Sequence, residues 1–232
     1  MKDKMVITEF EFRVPDRIRK WASEHDVPVV RTPLDFTEID AKYIIEYSPD
    51  RDVSYLDRVW CHSRNIPAVI GETERLIIRE LGEEDLKRYR ELILMYQQYL
   101  KNSDIKDLST EEFRIRHEAY VKCSYHFLEY GIYGIYLKAG VEKGLIGIAG
   151  IDGTDEPELS YALYPEYQGW GYAFEACECI LRYVKENELA GKIHLYTDVS
   201  NSRSFKLGRK LKEVYPELVL HITDPDGKAY TK

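Results

Sequence analysis

The sequence predicts an α/β protein in which short strands alternate with amphipathic helices, arranged as a small N-terminal extension followed by one larger domain. Three observations favour this fold class. The 232 residues exceed one typical domain and fall short of two large ones. A hydrophobic content of 44% is sufficient for a packed core. Short apolar runs alternate with charged segments of helical periodicity, and turn signals separate them.

Residues 1–72 are predicted to form the small α/β extension. Its apolar runs and helical segments alternate, and they occupy residues 5–14, 15–24, 27–30, 43–47, 53–64 and 68–70. Asp50, Asp52 and Asp57 lie around a turn and a helix start, where carboxylates usually cap the helix or stay solvated. The extension carries no recognisable active-site motif. Packing, dimerisation and a part in a substrate wall are therefore all open roles for it.

The larger domain, residues 73–232, is predicted to begin with a strand at 76–79 and two helices. An acidic first turn and an apolar stripe predict the first helix, over 83–100. The stripe consists of Leu86, Tyr89, Ile93 and either Tyr96 or Met95. Ser109 as N-cap, with Glu112 at the third helical position, predicts a second helix over 110–130.

Six further strands and two further helices complete the larger domain. They are strands at 133–138, 144–151 and 158–163, a helix at 174–187, a strand at 192–199, a basic helix after Asn201, and strands at 217–223 and 229–232. The last two strands are predicted to form a hairpin, because Asp224-Pro225-Asp226-Gly227 between them is a strong turn signal.

The most informative stretch is Gln168-Gly169-Trp170-Gly171-Tyr172-Ala173, which lies between a predicted strand and a predicted helix. Glycines at alternate positions let the backbone turn sharply and bring its N–H groups close to an anion. The following helix adds the positive end of its dipole. The stretch predicts a cradle for the diphosphate of a nucleotide-like cofactor; the alternative is a tight turn that binds nothing.

This stretch resembles the signature Gln/Arg-x-x-Gly-x-Gly/Ala of the GCN5-related N-acetyltransferases (GNAT), which binds the pyrophosphate of acetyl-CoA. Gln168, Gly171 and Ala173 occupy its three specified positions. Downstream, Asp198-Val199-Ser200-Asn201-Ser202-Arg203-Ser204 resembles the family's Asn-x-x-Ser/Ala element, whose asparagine approaches the pantetheine or the thioester. The resemblance covers residues 74–230 and is strongest to the subgroup that contains ribosomal-protein N-terminal acetyltransferases. It implies a mixed, mostly antiparallel twisted sheet flanked by helices.

The resemblance implies that acetyl-CoA binds as cosubstrate along the strand at 158–163 and the loop after it. In the family this strand is splayed by a bulge, and its backbone N–H groups polarise the thioester. The implied cofactor-binding residues are Ala162, Leu163, Tyr164, Gln168, Gly169, Trp170, Gly171, Tyr172, Ala173, Asn201 and Ser204.

Five cations crowd the short helix after Asn201, namely Arg203, Lys206, Arg209, Lys210 and Lys212. The resemblance places this helix beside the cofactor, so one or two of these cations would meet the phosphates of CoA. The alternative is an ordinary solvated helix surface.

Acetyl transfer requires that an amine lose a proton, that the thioester carbonyl be polarised, and that the departing thiolate be protonated or stabilised. The resemblance makes Glu158 the first candidate base, with a solvated strand face as its alternative. Asp198 and Asp152 follow, because each closes a predicted strand near the cleft end of the sheet.

Two positions depart from the family pattern. Many members place a thiolate-protonating tyrosine seven residues after the asparagine of the second motif, and this chain has Gly208 there. Tyr161, Tyr164 and Tyr196 are candidates to replace it, although each also suits a core or cleft-wall aromatic. Orientation without a side-chain acid is a further possibility. Lys212 stands where the family usually has glycine, which leaves the end of that helix undetermined.

Charge and composition narrow the classes of partner. A net charge of −8 argues against general nucleic-acid binding and permits a cationic acceptor. Without a long apolar run, the sequence predicts a cytoplasmic protein that does not contact membranes. Cysteines and histidines lack ligand spacing, so we expect no metal and no disulfide framework. They are Cys61, Cys123, Cys177, Cys179, His25, His62, His117, His126, His194 and His221.

The sequence therefore predicts an N-acetyltransferase that moves acetyl from acetyl-CoA to a primary amine of a small molecule or a protein N-terminus. The alternative from another class is a non-catalytic acyl-CoA-binding module. A dinucleotide-binding domain is disfavoured, because the glycines follow an alternating, antiparallel-type strand and no acidic residue closes a second parallel strand. Homodimerisation is left open.

Overall fold

The computed structural model describes residues 5–9, 11–31, 41–49, 53–96, 105–139, 144–224 and 229–231. The chain divides into two compact units, Met1–Ala68 and Val69–Lys232. None of the helices in these described ranges is long and apolar enough to cross a membrane. Asp50, Asp52 and the turn residues Pro225, Asp226 and Gly227 lie outside the described residues.

The first unit is a small α/β layer, as the alternating runs predict. Its strands are β1 Met5–Glu9, β2 Val29–Arg31 and β3 Tyr43–Glu46, and its helices are α1 Asp16–Glu24 and α2 Val53–Ser63. The strands are parallel and lie in the order β2-β1-β3. Ile7 of β1, Ile18 of α1 and Leu56 of α2 are buried together in a core of their own.

The second unit is built on a sheet with the strand order β11-β10-β9-β8-β7-β6-β5-β4. The strands are β4 Val69–Glu72, β5 Leu76–Arg79, β6 Ile132–Leu137, β7 Leu145–Asp152, β8 Glu158–Leu163, β9 His194–Asp198, β10 Val219–Thr223 and β11 Ala229–Thr231. β9 runs parallel to both β8 and β10, and the other neighbours are antiparallel. This mixed, mostly antiparallel sheet confirms the predicted fold class.

β4 lies within the predicted extension by sequence, yet it pairs with β5 of the larger sheet. The boundary between the two compact units accordingly falls between Ala68 and Val69 in the sequence. The functional division of the chain after residue 72 stays a prediction.

Within the described ranges, four α-helices accompany the larger sheet: α3 Leu86–Met95, α4 Thr110–Tyr120, α5 Tyr172–Glu186 and α6 Ser202–Val214. α4 begins with the predicted capping box. The Ser109 N–H donates to Glu112 Oε2 at 2.7 Å, and the Glu112 N–H donates to Ser109 Oγ at 3.2 Å. Of the two alternatives for the end of the apolar stripe, Met95 is exposed, whereas the hydroxyl of Tyr96, the C-cap of α3, donates to the Leu163 carbonyl at 2.8 Å.

The predicted helix over 110–130 changes form midway. After Tyr120 the chain continues as a π-helix, Val121–Leu128. Residues five apart lie on nearly the same side of a π-helix but not of an α-helix. The wider turns let Tyr120 and Tyr125 pack edge to face, and both hydroxyls bond to the backbone of Ile132.

The two faces of the sheet lie against different helices near β8 and β9. Leu159, Leu163 and Leu195 belong to the main core together with residues of α5. On the opposite face, Ala162 and Tyr164 pack with residues that include Leu92 of α3. Even-numbered β8 side chains therefore point toward the α3 face, and odd-numbered ones toward the α5 and α6 face.

Candidate active site

A gap separates β8 from β9 along most of their length. The two strands share one register match, Glu158 with His194. β8 remains paired with β7 through Leu163, and β9 remains paired with β10 through Asp198. The strands therefore diverge after Glu158 and leave a gap, the wedge, that is narrow at Glu158 and wide at Leu163.

Alternate backbone groups of β8 face the wedge. The Tyr164 N–H donates to the Ile146 carbonyl on the β7 side at 3.0 Å, whereas the Pro157 carbonyl accepts the His194 N–H at 2.7 Å. Because N–H groups alternate along a strand, the Leu163 N–H points into the wedge. Of the three residues predicted here, Leu163 has its N–H on the wedge side. The N–H groups of Ala162 and Tyr164 point toward β7.

The loop after β8 has the geometry expected of an anion cradle. Gly169 and Gly171 adopt φ values of +83° and +85°, in the left-handed region that favours glycine. Gly171 is the N-cap of α5. Within the described part of the chain, the backbone N–H groups of residues 169–173, the cradle, have no acceptor. Unpaired donors at a helix N-terminus fit a diphosphate.

A second unpaired group borders the wedge. The Thr197 hydroxyl is buried and, among the residues described, has no hydrogen-bond partner. Thr197 lies on β9 and shares the α5 and α6 face with Leu195. A buried polar atom without a partner is costly to the folded state.

Arg75 holds the cradle in place, and sequence reasoning missed it. Its Nη1 donates to the Trp170 carbonyl at 2.9 Å, and its Nε donates to Glu175 Oε2 at 2.7 Å. The guanidinium also lies over the Tyr172 ring at 4.6 Å. Burial raises the pKa of Glu175, but hydrogen bonds from Thr73 and Arg75 outweigh burial and leave that pKa below its usual value. Arg75 and Glu175 lie 100 residues apart, beyond any local spacing signal.

Gln168 connects the loop to two neighbouring helices. Its Nε2 donates to the Tyr96 hydroxyl at 2.5 Å and to the Leu163 carbonyl at 3.2 Å. Its Oε1 accepts from Arg203 Nη1 at 2.8 Å. The Gln168 side chain therefore positions the loop, and it brings the Arg203 guanidinium to the cradle.

Two of the α6 cations, Lys210 and Lys212, have different surroundings. Lys210 Nζ lies 3.7 Å from the centroid of the Phe174 ring, in the first turn of α5. Lys212 Nζ instead donates to the carbonyls of Pro216, at 2.8 Å, and Leu218, at 2.6 Å. The ammonium of Lys212, the residue at the position where the family usually has glycine, thus satisfies carbonyls beyond the end of α6.

The second motif lies at the wide end of the wedge. Asn201 is the N-cap of α6, and its Oδ1 accepts the Ser204 N–H at 3.2 Å. The Tyr161 hydroxyl donates to Ser204 Oγ at 2.9 Å, which joins β8 to α6. Asp198 Oδ1 accepts the Ser200 N–H at 2.7 Å, and hydrogen bonding to Ser200 lowers the pKa of Asp198. A lowered pKa makes that carboxylate a weaker proton acceptor.

Glu158 lies at the narrow end of the wedge. It is in register with Asp152 on β7 and with His194 on β9. Asp198 follows His194 by four residues, which separates the two ends of β9 by about 13 Å. The structure therefore places Glu158 and Asp152 together and sets Asp198 apart from them.

Gly208 lies in a tightly packed contact. An ideal Cβ there would lie 3.0 Å from Leu220 Cδ1 and 3.2 Å from Leu195 Cδ2. α6 thus approaches β9 and β10 so closely that a larger residue requires these two leucine side chains to shift. Of the three replacement candidates, Tyr161 reaches α6, whereas the Tyr164 hydroxyl donates to the Arg88 carbonyl on the other face at 2.7 Å. Burial raises the pKa of Tyr161 to about 12.

Replacing Gly208 with leucine should destabilise the protein by about 1–3 kcal/mol, because the added side chain overfills a packed contact. Urea unfolding measures this difference. Gly191→Leu is the matched control, since an ideal Cβ at Gly191 meets nothing within 4 Å. Equal stability of the Gly208 variant and the parent would show that α6 has room for the missing tyrosine.

The thiols and possible metal ligands of the described residues show no further cluster. Cys61, Cys123, Cys177 and Cys179 carry thiols that are not joined in disulfides. Burial raises the pKa of Cys177 and Cys179, which keeps both thiols neutral. In the ranges that the structure covers, no group of three or more His, Cys, Asp or Glu side chains could hold a metal ion.

A family model described as the acetyltransferase (GNAT) domain matches residues 75–212, which is more than half of the chain. No curated protein matches significantly. An acetyltransferase from Agrobacterium tumefaciens is 23% identical, with 61% of this chain and 81% of that one covered and a TM-score of 0.47. The RimL ribosomal L7/L12 alpha-N-protein acetyltransferase in complex with coenzyme A is 16% identical, with coverage of 61% and 81% and a TM-score of 0.50.

Mutant forms of the spermidine/spermine N-acetyltransferase SpeG from Vibrio cholerae are also similar in structure. They are 21% identical, cover 60% of this chain and 78% of their own, and have a TM-score of 0.44. At these identities the likeness to solved structures concerns the fold alone.

Proposed function

Because this chain belongs to the GNAT acetyltransferase family, we propose that it transfers acetyl from acetyl-CoA to a primary amine of a small molecule or a protein N-terminus. The wedge carries the proposal. It combines a strand edge, at the Leu163 N–H, with a row of N–H groups in residues 169–173 that find no acceptor among the described residues. An extended amide-bearing arm that ends in a diphosphate matches both features.

The residues of the wedge suit the parts of acetyl-CoA. The cradle N–H groups would hold the diphosphate, with Arg203 and Lys210 beside them for the remaining phosphate charge. The Leu163 N–H would pair with the pantetheine arm as in an added strand. Asn201 and Ser204 line the wide end. When bound, acetyl-CoA supplies an activated acetyl thioester.

Proton transfer would occur at two places along the wedge. Glu158 would take the proton of the amine, directly or through water, at the narrow end. Asp198 remains in the proposal as a second candidate, although its lowered pKa disfavours it. Tyr161 would protonate the departing thiolate, because its hydroxyl reaches α6 one helical turn before Gly208.

Both protein and small-molecule amines are candidate acceptors. The RimL protein is described as acting on a protein α-amine and SpeG on spermidine and spermine. Membership of the ribosomal-protein subgroup, a cytoplasmic location and homodimerisation stay predictions. All the residues named here lie in 73–232, so the extension would contribute to some other property.

The proposed function is tested by ligand-induced stabilisation followed by a thiol assay. We expect acetyl-CoA and CoA, each at 100 times its Kd, to stabilise the folded protein by about 2.7 kcal/mol and to raise Tm, whereas NAD leaves it unchanged. Pooled amines should then release CoA thiol from acetyl-CoA. Stabilisation by NAD alone would contradict the proposal. Tight acetyl-CoA binding without thiol release from any amine would favour the non-catalytic module.

Replacing Tyr161 with phenylalanine should lower kcat, because loss of a general acid typically lowers the rate about 10²-fold or more. The affinity for acetyl-CoA should change little, since the backbone contacts of the cradle remain. Steady-state rates with an accepted amine measure both quantities. Tyr215→Phe, which removes a hydroxyl that donates to the Glu178 carbonyl at 3.1 Å, is the matched control. An unaltered kcat for Tyr161→Phe would remove this residue from the mechanism.

A further inference from the structure

Two histidines and a threonine from three neighbouring strands form a hydrogen-bonded chain beside Glu158. His194 Nδ1 on β9 lies 2.8 Å from His221 Nε2 on β10. His221 Nδ1 lies 3.1 Å from Thr231 Oγ1 on β11. The strand register accounts for this chain. His221 is directly opposite Thr231 on β11 and Tyr196 on β9, and His194 lies two residues before Tyr196 on the same strand.

Ring stacking fixes the orientation of this chain. The His194 and His221 rings are nearly parallel, at 13°, with centroids 5.1 Å apart. The Tyr196 ring stacks on His221 with centroids 4.3 Å apart and an angle of 8°. With its ring held on one side by His194 and on another by Tyr196, His221 presents its Nε2 to His194 in one geometry.

The protonation of the chain determines what His194 can do. A neutral imidazole has one nitrogen that donates and one that accepts. If both histidines donate from Nδ1, His194 donates to His221, and His221 donates to the Thr231 hydroxyl. His194 Nε2 then carries a lone pair, and that atom has no partner within the described residues. A base oriented by a second group, itself held by a third, is the arrangement of an activated catalytic histidine.

The lone pair lies on the side of the ring away from β10. Nδ1 and Nε2 of an imidazole flank Cε1 and have diverging bonding directions, so with Nδ1 turned to His221, Nε2 is turned away from β10. On β8, Glu158 is the register partner of His194, and adjacent strands lie about 4.8 Å apart. Among the described residues of the neighbouring strands, Asp152 on β7 is in register with Glu158, Tyr196 lies two residues along β9, and Asp198 lies at the far end of β9.

We propose that His194 is a second proton acceptor of the acetyl-transfer reaction, oriented by His221 and Thr231. This inference rests on the proposed function. One N–H bond of the acceptor ammonium breaks, and its proton moves to the Glu158 carboxylate and then to His194 Nε2. The nitrogen keeps the electron pair and becomes the nucleophile, while the His194 imidazolium returns the proton to water.

His194→Asn tests the catalytic role while retaining the hydrogen bond, because the asparagine amide nitrogen replaces Nδ1 and only Nε2 is lost. With spermidine and a pooled amine panel as acceptors, we expect kcat/KM at pH 7 to fall about 10²-fold. The defect should shrink at high pH, where the amine is already deprotonated. His25→Asn in the first unit is the matched control and should leave the rate unchanged. Rates equal to the parent at every pH would overturn the proposal.

Substitutions of His221 test the positioning role. Glutamine places a hydrogen-bond acceptor where Nε2 was, so His221→Gln should retain most activity, whereas His221→Leu should lower kcat with little change in KM. If both variants behave alike, the positioning role is wrong. Glu158→Gln combined with His194→Asn should cost no more than the larger single defect, since both act on one proton. Fully additive losses would overturn the relay.

A spectroscopic measurement on the free protein tests the tautomer without any acceptor. Long-range ¹H–¹⁵N spectra of protein labelled at histidine should show neutral His194 and His221 protonated at Nδ1, with assignments from the variants. A proton on His194 Nε2 would overturn the proposal. A parent that releases no thiol with any amine would overturn the proposed function and this inference together. An active parent with an unaffected His194 variant would overturn this inference alone.

Discussion

Replacing Gly171 with glutamate should abolish the rise in Tm that acetyl-CoA produces. Gly171 has a φ of +85° and begins the helix whose unpaired N–H groups form the cradle. A glutamate there places a carboxylate among those donors, where it would compete with a diphosphate and repel it. At 100 times Kd the parent gains about 2.7 kcal/mol from the ligand, and the variant should gain none. Thermal unfolding with and without acetyl-CoA measures both.

Two controls separate charge from backbone strain. Gly171→Ala forces the same left-handed conformation, which costs about 1–2 kcal/mol, but adds no charge. It should lower Tm while retaining a response to acetyl-CoA. Gly191→Glu adds the same charge beyond the far end of α5, whose 15 residues span about 22 Å, and should respond as the parent does. A folded Gly171→Glu protein with an undiminished response would show that the diphosphate binds elsewhere.

Local chemistry explains which parts of the fold were predictable. The strand at 158–163, the capping box at Ser109 and the glycine pair of the cradle depend on residues a few positions apart, and the structure contains each of them. The π-helix after Tyr120 was not predictable, because it depends on hydroxyl contacts with a strand that follows later in the sequence. Periodicity reports which side of a helix is apolar and says nothing of such partners.

In the candidate active site too, features that depend on neighbouring residues were predictable and features that depend on distant residues were not. The cradle could be located from its motif, since the N–H groups that line it belong to consecutive residues. The contacts that support it could not, because Arg75 meets Glu175 only through the packing of β5 against the start of α5. The chain from His194 to Thr231 depends on the register of three strands, which sequence alone leaves undetermined. Gly208 had looked like the loss of a catalytic residue, and the crowding at Leu195 and Leu220 gives it a packing reason.

Replacing Glu158 with glutamine should lower kcat at pH 7 by about 10²-fold or more, because glutamine keeps the shape of the side chain and removes the proton acceptor. A substrate amine with a pKa of ~10.4 is protonated at pH 7 and needs a proton acceptor, so the defect should shrink as the pH approaches this value. Acetyl-CoA affinity should change little, since Glu158 and Leu163 lie about 17 Å apart along β8. Rates and Kd values measured across pH test all three statements.

Glu156→Gln is the matched control, because it removes the same charge from an exposed residue just before β8. If Glu158 only attracts a cationic acceptor, its loss should raise KM and leave kcat unchanged, whereas loss of a base lowers kcat itself. Rates equal to the parent at every pH would reject Glu158. Asp198→Asn would then be the variant to compare, even though hydrogen bonding to Ser200 already lowers the pKa of that carboxyl and weakens it as a base.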